Sequence, residues 1–116
     1  HAVVARSTDG GRTFQPWQDT GWQGHPLQAT RLSDGRVLLV YGYRHKPYGV
    51  RARLLDPECR DIATAPEFVI RDDGASTDLG YPWAVPLEDG RALVVYYFNR
   101  DGVQRHIAAT ILEAAK

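Results

Sequence analysis

The chain has 116 residues, enough for one domain with a modest core. Its 14 basic and 14 acidic residues balance, which argues against a nucleic-acid or membrane-surface protein, because both carry a basic excess. No apolar run approaches the roughly 20 residues of a bilayer span, no signal-peptide pattern opens the chain, and a single cysteine, Cys59, cannot make an internal disulfide or a multi-cysteine metal site.

The first element is a turn. Ser7-Thr8-Asp9-Gly10-Gly11-Arg12-Thr13-Phe14 is a polar stretch with a short apolar run on each side, and residues 1–20 are predicted to form half of a sheet unit around it. A complete unit is expected next, over residues 25–71. Its four strands are expected at Leu27 to Leu32, Val37 to Tyr43, Val50 to Leu55 and Glu67 to Arg71. Three further strands are expected within 79–113. Asp-Gly pairs punctuate these runs at Asp34-Gly35, Asp73-Gly74, Asp89-Gly90 and Asp101-Gly102. Asp-Gly between apolar runs signals a hairpin, because both residues tolerate positive φ. No stretch sustains a helical apolar period, and the Ala-Ala pair before Lys116 is too short for one. The chain is all-β. With no methionine, it is expected to be a mature, trimmed or excised piece.

Two hairpins are copies. Leu32-Ser33-Asp34-Gly35-Arg36-Val37-Leu38-Leu39-Val40-Tyr41 matches Leu87-Glu88-Asp89-Gly90-Arg91-Ala92-Leu93-Val94-Val95-Tyr96 at an offset of 55 positions. A strand–turn–strand unit that returns after roughly 50 residues predicts antiparallel four-stranded blades of a partial β-propeller, two to three blades in one domain.

The opening motif, Ser-x-Asp-x-Gly-x-Thr-aromatic, resembles the Asp-box (BNR repeat) of sialidases, or neuraminidases, and related glycan-active propellers. From Gly24 onward the chain also looks like the C-terminal half of bacterial sialidase-like proteins. "YGYR" and "DLGYP" are the most specific parts of that likeness. In the Asp-box the resemblance implies a local role: Ser7 and Asp9 hydrogen-bond backbone amides, Gly11 takes a conformation closed to other residues, Thr13 completes the turn and Phe14 packs beneath. A second Asp-box is expected after Arg53, but only Asp56 of "LLDPECRDI" survives, so that turn must close by other means.

Sialidases grip a substrate carboxylate with arginines and use a tyrosine nucleophile, an exception among glycosidases. Arginine suits the grip because its rigid, permanently charged fork meets a carboxylate two-pronged. The resemblance places Tyr81 at the nucleophile's position and Arg51 or Arg53 at that of the last arginine. Residues two apart on a strand share a face, so periodicity leaves both open, and the "GVRA" pattern favours Arg51. Arg44 and His25 stand at strand ends that would feed the central channel. The ordinary alternatives are surface charges for Arg51 and Arg53, a hydrogen-bonded core aromatic for Tyr81 and a structural hydrogen-bonder for His25. Asp72, Asp73 and Asp78 are expected to shape turns, and His45 and His106 to face solvent. Trp17, Trp22 and Trp83 are expected to pack between blades, or to stack on a sugar where exposed.

The resemblance puts the first arginine, the acid/base aspartate and the assisting glutamate upstream of His1, and no Glu of this chain in the glutamate's place. It therefore implies part of an acidic-sugar pocket without turnover of its own, with no metal or cofactor, and slightly favours a secreted or periplasmic protein. The competing readings are a non-catalytic glycan-binding propeller and an assembly module whose copies complete a ring as a homo-oligomer. The expected partner is an acidic sugar or glycan; neither nucleic acid nor membrane is expected.

Overall fold

The computed structural model describes residues 1–113 and holds nine strands, with no helix among the described residues. The alanines at 114 and 115 lie outside that range. The strands are β1 (Val3–Val4), β2 (Gln18–Asp19), β3 (Leu27–Arg31), β4 (Val37–Tyr43), β5 (Gly49–Leu55), β6 (Glu67–Arg71), β7 (Gly80–Pro86), β8 (Arg91–Phe98) and β9 (His106–Glu113). They form a two-stranded ribbon β1-β2, a four-stranded sheet β3-β4-β5-β6 and a three-stranded sheet β7-β8-β9. Every pairing is antiparallel between chain neighbours. The all-β, antiparallel expectation holds.

The four-stranded sheet is the middle layer. Side chains alternate faces along a strand, so Leu38 and Val40 of β4, with Val50 and Ala52 of β5, turn toward the three-stranded sheet. There they meet Ala84, Ala92, Val94, Tyr96 and Phe98. Leu39 and Tyr41 of β4 turn the other way, onto Ala2 and Trp22 of the N-terminal segment. Strand β4 is thus covered on both faces, which explains its unbroken apolar run. Each large apolar side chain buried in these layers contributes about 1.5–3 kcal/mol.

The copied hairpins have copied hydrogen bonds. The Leu32 and Leu87 amides donate to the Arg36 and Arg91 carbonyls at 2.8 Å in both. Asp34 and Asp89 each accept from the backbone and the Nε of the arginine two residues on.

The Ser7–Phe14 motif closes the turn between β1 and β2. Ser7 Oγ accepts from the Gly11 amide at 2.9 Å and donates to Asp9 Oδ1 at 2.7 Å. Asp9 Oδ1 also accepts from the Arg12 and Thr13 amides, and Oδ2 takes the Thr13 hydroxyl at 2.5 Å. Gly11 sits at φ 89°, where a side chain would be strained. One detail differs from expectation: Phe14 is 63% exposed rather than packed beneath the turn. The ribbon's strands have two residues each, too short to give the ring a floor. Trp17 and Trp83 are likewise exposed, whereas Trp22 is buried between layers.

The degenerate turn after β5 closes through a reciprocal aspartate pair. Asp56 accepts from the amides of Glu58, Arg60 and Asp61, and Asp61 Oδ1 accepts from the Asp56 amide at 3.0 Å. The N-terminal segment is pinned to this loop. Arg6 donates to the carbonyls of Glu58 and Cys59, and Trp22 Nε1 donates to that of Ile62.

The two larger sheets approach each other closely at Gly42 and Gly80, where a methyl on Gly80 would lie 3.1 Å from the Gly42 Cα. At the opposite ends of β4 and β7 the sheets part around an apolar cavity of about 530 Å³, lined by Leu38, Leu54 and Phe68 on one side and Ala92 and Leu112 on the other. Among the described residues no helix is long and apolar enough to cross a membrane.

Candidate functional site

Strand register builds the first group. Tyr41 of β4 pairs with Arg51 of β5, and Arg53 pairs with Glu67 of β6, so all four side chains share one face of the middle sheet. Glu67 is the hub. Its Oε1 accepts from Arg51 Nη1 at 2.6 Å, and its Oε2 accepts from the Tyr41 hydroxyl at 2.6 Å and from Arg53 Nη2 at 3.4 Å. Burial pushes the Glu67 carboxyl up, but the hydrogen bonds from Tyr41 and Arg51 and the two guanidinium charges outweigh it and hold the group below its usual range. Tyr41 is pushed strongly upward by burial, then by the adjacent carboxylate, so its hydroxyl stays protonated and keeps donating.

The arginines are distinguished by their partners. Arg53 engages all three nitrogens: Nε with the Tyr41 hydroxyl at 2.9 Å, Nη1 with the Ala65 carbonyl at 2.6 Å and Nη2 with Glu67. Its guanidinium also lies over the Trp22 ring, which stacks on Tyr41 at 4.9 Å. Arg51 has Glu67 and the face of Tyr43, 3.4 Å from its guanidinium carbon, while its Nε is buried with no hydrogen-bond partner. Arg53 is committed to the fold, and Arg51 has donors to spare. The reading of both as surface charges is corrected, since their side chains are only 14% and 10% exposed. A pocket of about 300 Å³ borders the group, lined also by Trp22, Gln23, Tyr43 and His1. The His1 ring pairs with Asp19 at 3.0 Å.

The second group stands at the start of β7. Tyr81 is 63% exposed, so the core-aromatic alternative is corrected too. It sits at φ 47°, a region that side chains other than glycine seldom adopt. The Arg44 guanidinium lies 5.3 Å from the centre of the Tyr81 ring, and Arg44 Nη2 donates to the Leu79 carbonyl. Tyr97 neighbours Tyr81 ring to ring at 5.9 Å and donates its hydroxyl to Asp78, which also pairs with Arg105 at 2.7 Å. Those two partners, Tyr97 first, hold the Asp78 carboxyl below its usual range. Asp78 thus does more than shape a turn, and Asp73 likewise bridges Arg71 and Arg100.

The structure therefore brings Arg44 to Tyr81, and Arg51 to Arg53, as two separate groups. His25 belongs to neither. It is exposed just before β3, its amide donates to the Gly42 carbonyl, and it lines another cavity with His1 and His45. Sequence reasoning missed Glu67, Tyr41, Tyr97 and Arg105. The β5–β6 register was the signal that could have found Glu67, because it sets Glu67 opposite Arg53. Among the described residues no three His, Cys, Asp or Glu side chains gather into a metal-binding group.

No family profile and no curated protein matches the chain. A crystal structure of a protein of unknown function from Dyadobacter fermentans is similar, with a TM-score of 0.93 and 62% identity over 97% of this chain. The match spans 31% of that protein's chain.

Proposed function

We propose that the chain is a portion of a sialidase-like β-propeller and that its Arg51/Arg53 pocket holds the acidic group of a sugar. The observation that carries this reading is a charge surplus. Two almost fully buried guanidiniums face one carboxylate beside an open pocket, and Arg51 retains an unused donor. A buried charge without a counter-charge is costly, so a ligand carboxylate would complete the group. Trp22 and Tyr43 border the pocket as well, each with an arginine against its ring. Tyr81, with Arg44 over its ring, is proposed as a separate contact site on the adjoining sheet. In support of the propeller, ribbon and sheets succeed one another face to face, and the repeat preserves hairpin geometry. The longer Dyadobacter chain is consistent with further units in one polypeptide.

Titration of the chain with N-acetylneuraminic acid, against neutral N-acetylglucosamine, tests this reading. Binding of the acid alone is expected, with a loss of about tenfold or more in Arg51→Gln. Equal binding of both sugars, or of neither, refutes it. A fluorogenic sialoside should not be turned over, because each acid–base group assigned upstream by the resemblance is typically worth about 10²–10⁴-fold.

A second reading, an assembly module, is favoured by the outer face of the three-stranded sheet, where Trp83, Val85 and Ile111 lie exposed.

A further inference from the structure

Glu67 is shared among three partners, and that sharing sets the charge of the pocket. If the Arg51/Arg53 pocket takes an acidic group, the reading on which this inference rests, its net charge selects among acids. Arg53 spends its donors on Tyr41, Ala65 and Glu67 and cannot reorient without breaking all three contacts. Arg51 is fixed from two sides, by the 2.6 Å bond to Glu67 and by the Tyr43 ring beneath it. The His1 ring, which also lines the pocket, is hydrogen-bonded to Asp19 and turned to that partner. Within the Arg51, Arg53 and Glu67 group, two guanidiniums and one carboxylate leave a single net positive charge.

We propose that Glu67 is a specificity-determining residue: it presets Arg51 and limits the pocket to one net positive charge, so that a monoanionic carboxylate is preferred over a dianion such as phosphate. A monoanion brings the pocket to neutrality. A dianion leaves one negative charge uncompensated beside Glu67 itself, where the low local dielectric makes repulsion strong. Arginine's rigid fork adds geometric preference for a planar carboxylate. Glu67 acts through Arg51 and the net charge, without itself contacting the ligand.

The test uses the full chain with two probes, N-acetylneuraminate and inorganic phosphate, measured calorimetrically at one ionic strength. The wild type is expected to favour the carboxylate. Glu67→Gln keeps the shape and removes the charge, so the carboxylate-to-phosphate affinity ratio should fall by about tenfold or more. Glu67→Asp keeps the charge and should keep the wild-type preference. Glu67→Met, close in volume, repeats the neutralisation should Glu67→Gln not fold. A merely structural Glu67 would lower the melting temperature and leave the ratio unchanged, which overturns the proposal while the pocket reading stands. A wild type that binds neither probe overturns both.

Discussion

Asp9 shows what a single exposed carboxylate can do when its acceptor capacity is filled. The hydroxyl and amide of Thr13, then the Ser7 hydroxyl, hold its pKa at about 2 against an ordinary 3.8. A carboxylate depressed on folding contributes stability that is complete above the unfolded pKa and is lost as pH falls through the folded one. The Ser7–Phe14 turn should therefore loosen between about pH 4 and pH 2. Faster exchange of the Gly11 and Thr13 amides in that window, and not above it, is the expected NMR signature; flat protection down to about pH 2 refutes it. Gly24 acts by size. A methyl group there would run into the Tyr41 ring, which is fully buried and stacked on Trp22. Gly24→Ala is expected to cost about 1–3 kcal/mol, the usual range for overpacking, read from the shift of a urea unfolding curve.

At the scale of elements, the loop from Asp56 to Ala65 does two jobs. It turns β5 back to β6 and offers the carbonyls that hold Arg6 and Trp22. Asp56→Ala leaves three amides without their acceptor at once, so the loop should open and the half-buried Cys59 thiol should react faster with a disulfide reagent. Burial, its largest influence, pushes that thiol up and keeps it sluggish in the intact loop. An unchanged thiol rate contradicts the loop's assigned role. Much of this architecture was readable in advance. The strands at Val37–Tyr43 and Glu67–Arg71 match their expected bounds, and β3 and β5 differ by one residue at one end, because Asp-Gly turns and apolar runs are local signals. The site was less readable. Arg51 and Arg53 share a face and a similar local sequence, and only the non-local partners Tyr41, Ala65 and Glu67 separate the arginine whose donors are all spent from the one with donors to spare. Phe14 failed as a core residue for the same reason: its motif specifies the turn and says nothing of what lies outside it.

The molecule as a whole carries an unfinished surface. Register places Trp83, Val95 and Ala109 side by side across the three-stranded sheet, with Val85, Leu93 and Ile111 in the next row. This face points away from the middle sheet, and Trp83 and Ile111 on it are 63% and 50% exposed. A contiguous apolar face of this kind marks a place where another surface packs. The isolated chain is expected to associate at micromolar concentration, and Trp83→Gln combined with Ile111→Thr to shift it toward monomer. Sedimentation velocity decides this. A wild-type monomer at every concentration removes the assembly reading, and association indifferent to the double substitution relocates the contact.

The close approach of Gly42 to Gly80, and the cavity at the other end of the same two strands, give the paired sheets the profile of an arch stone. Slabs of even thickness pile into a straight column, but stones cut on a taper lean, each course tilted against the last. Two backbones allowed to touch because neither residue carries a side chain, with bulky leucines and a phenylalanine holding the far ends apart, are enough to cut that taper. The taper is then a property of a single joint, set by the residues on its two faces.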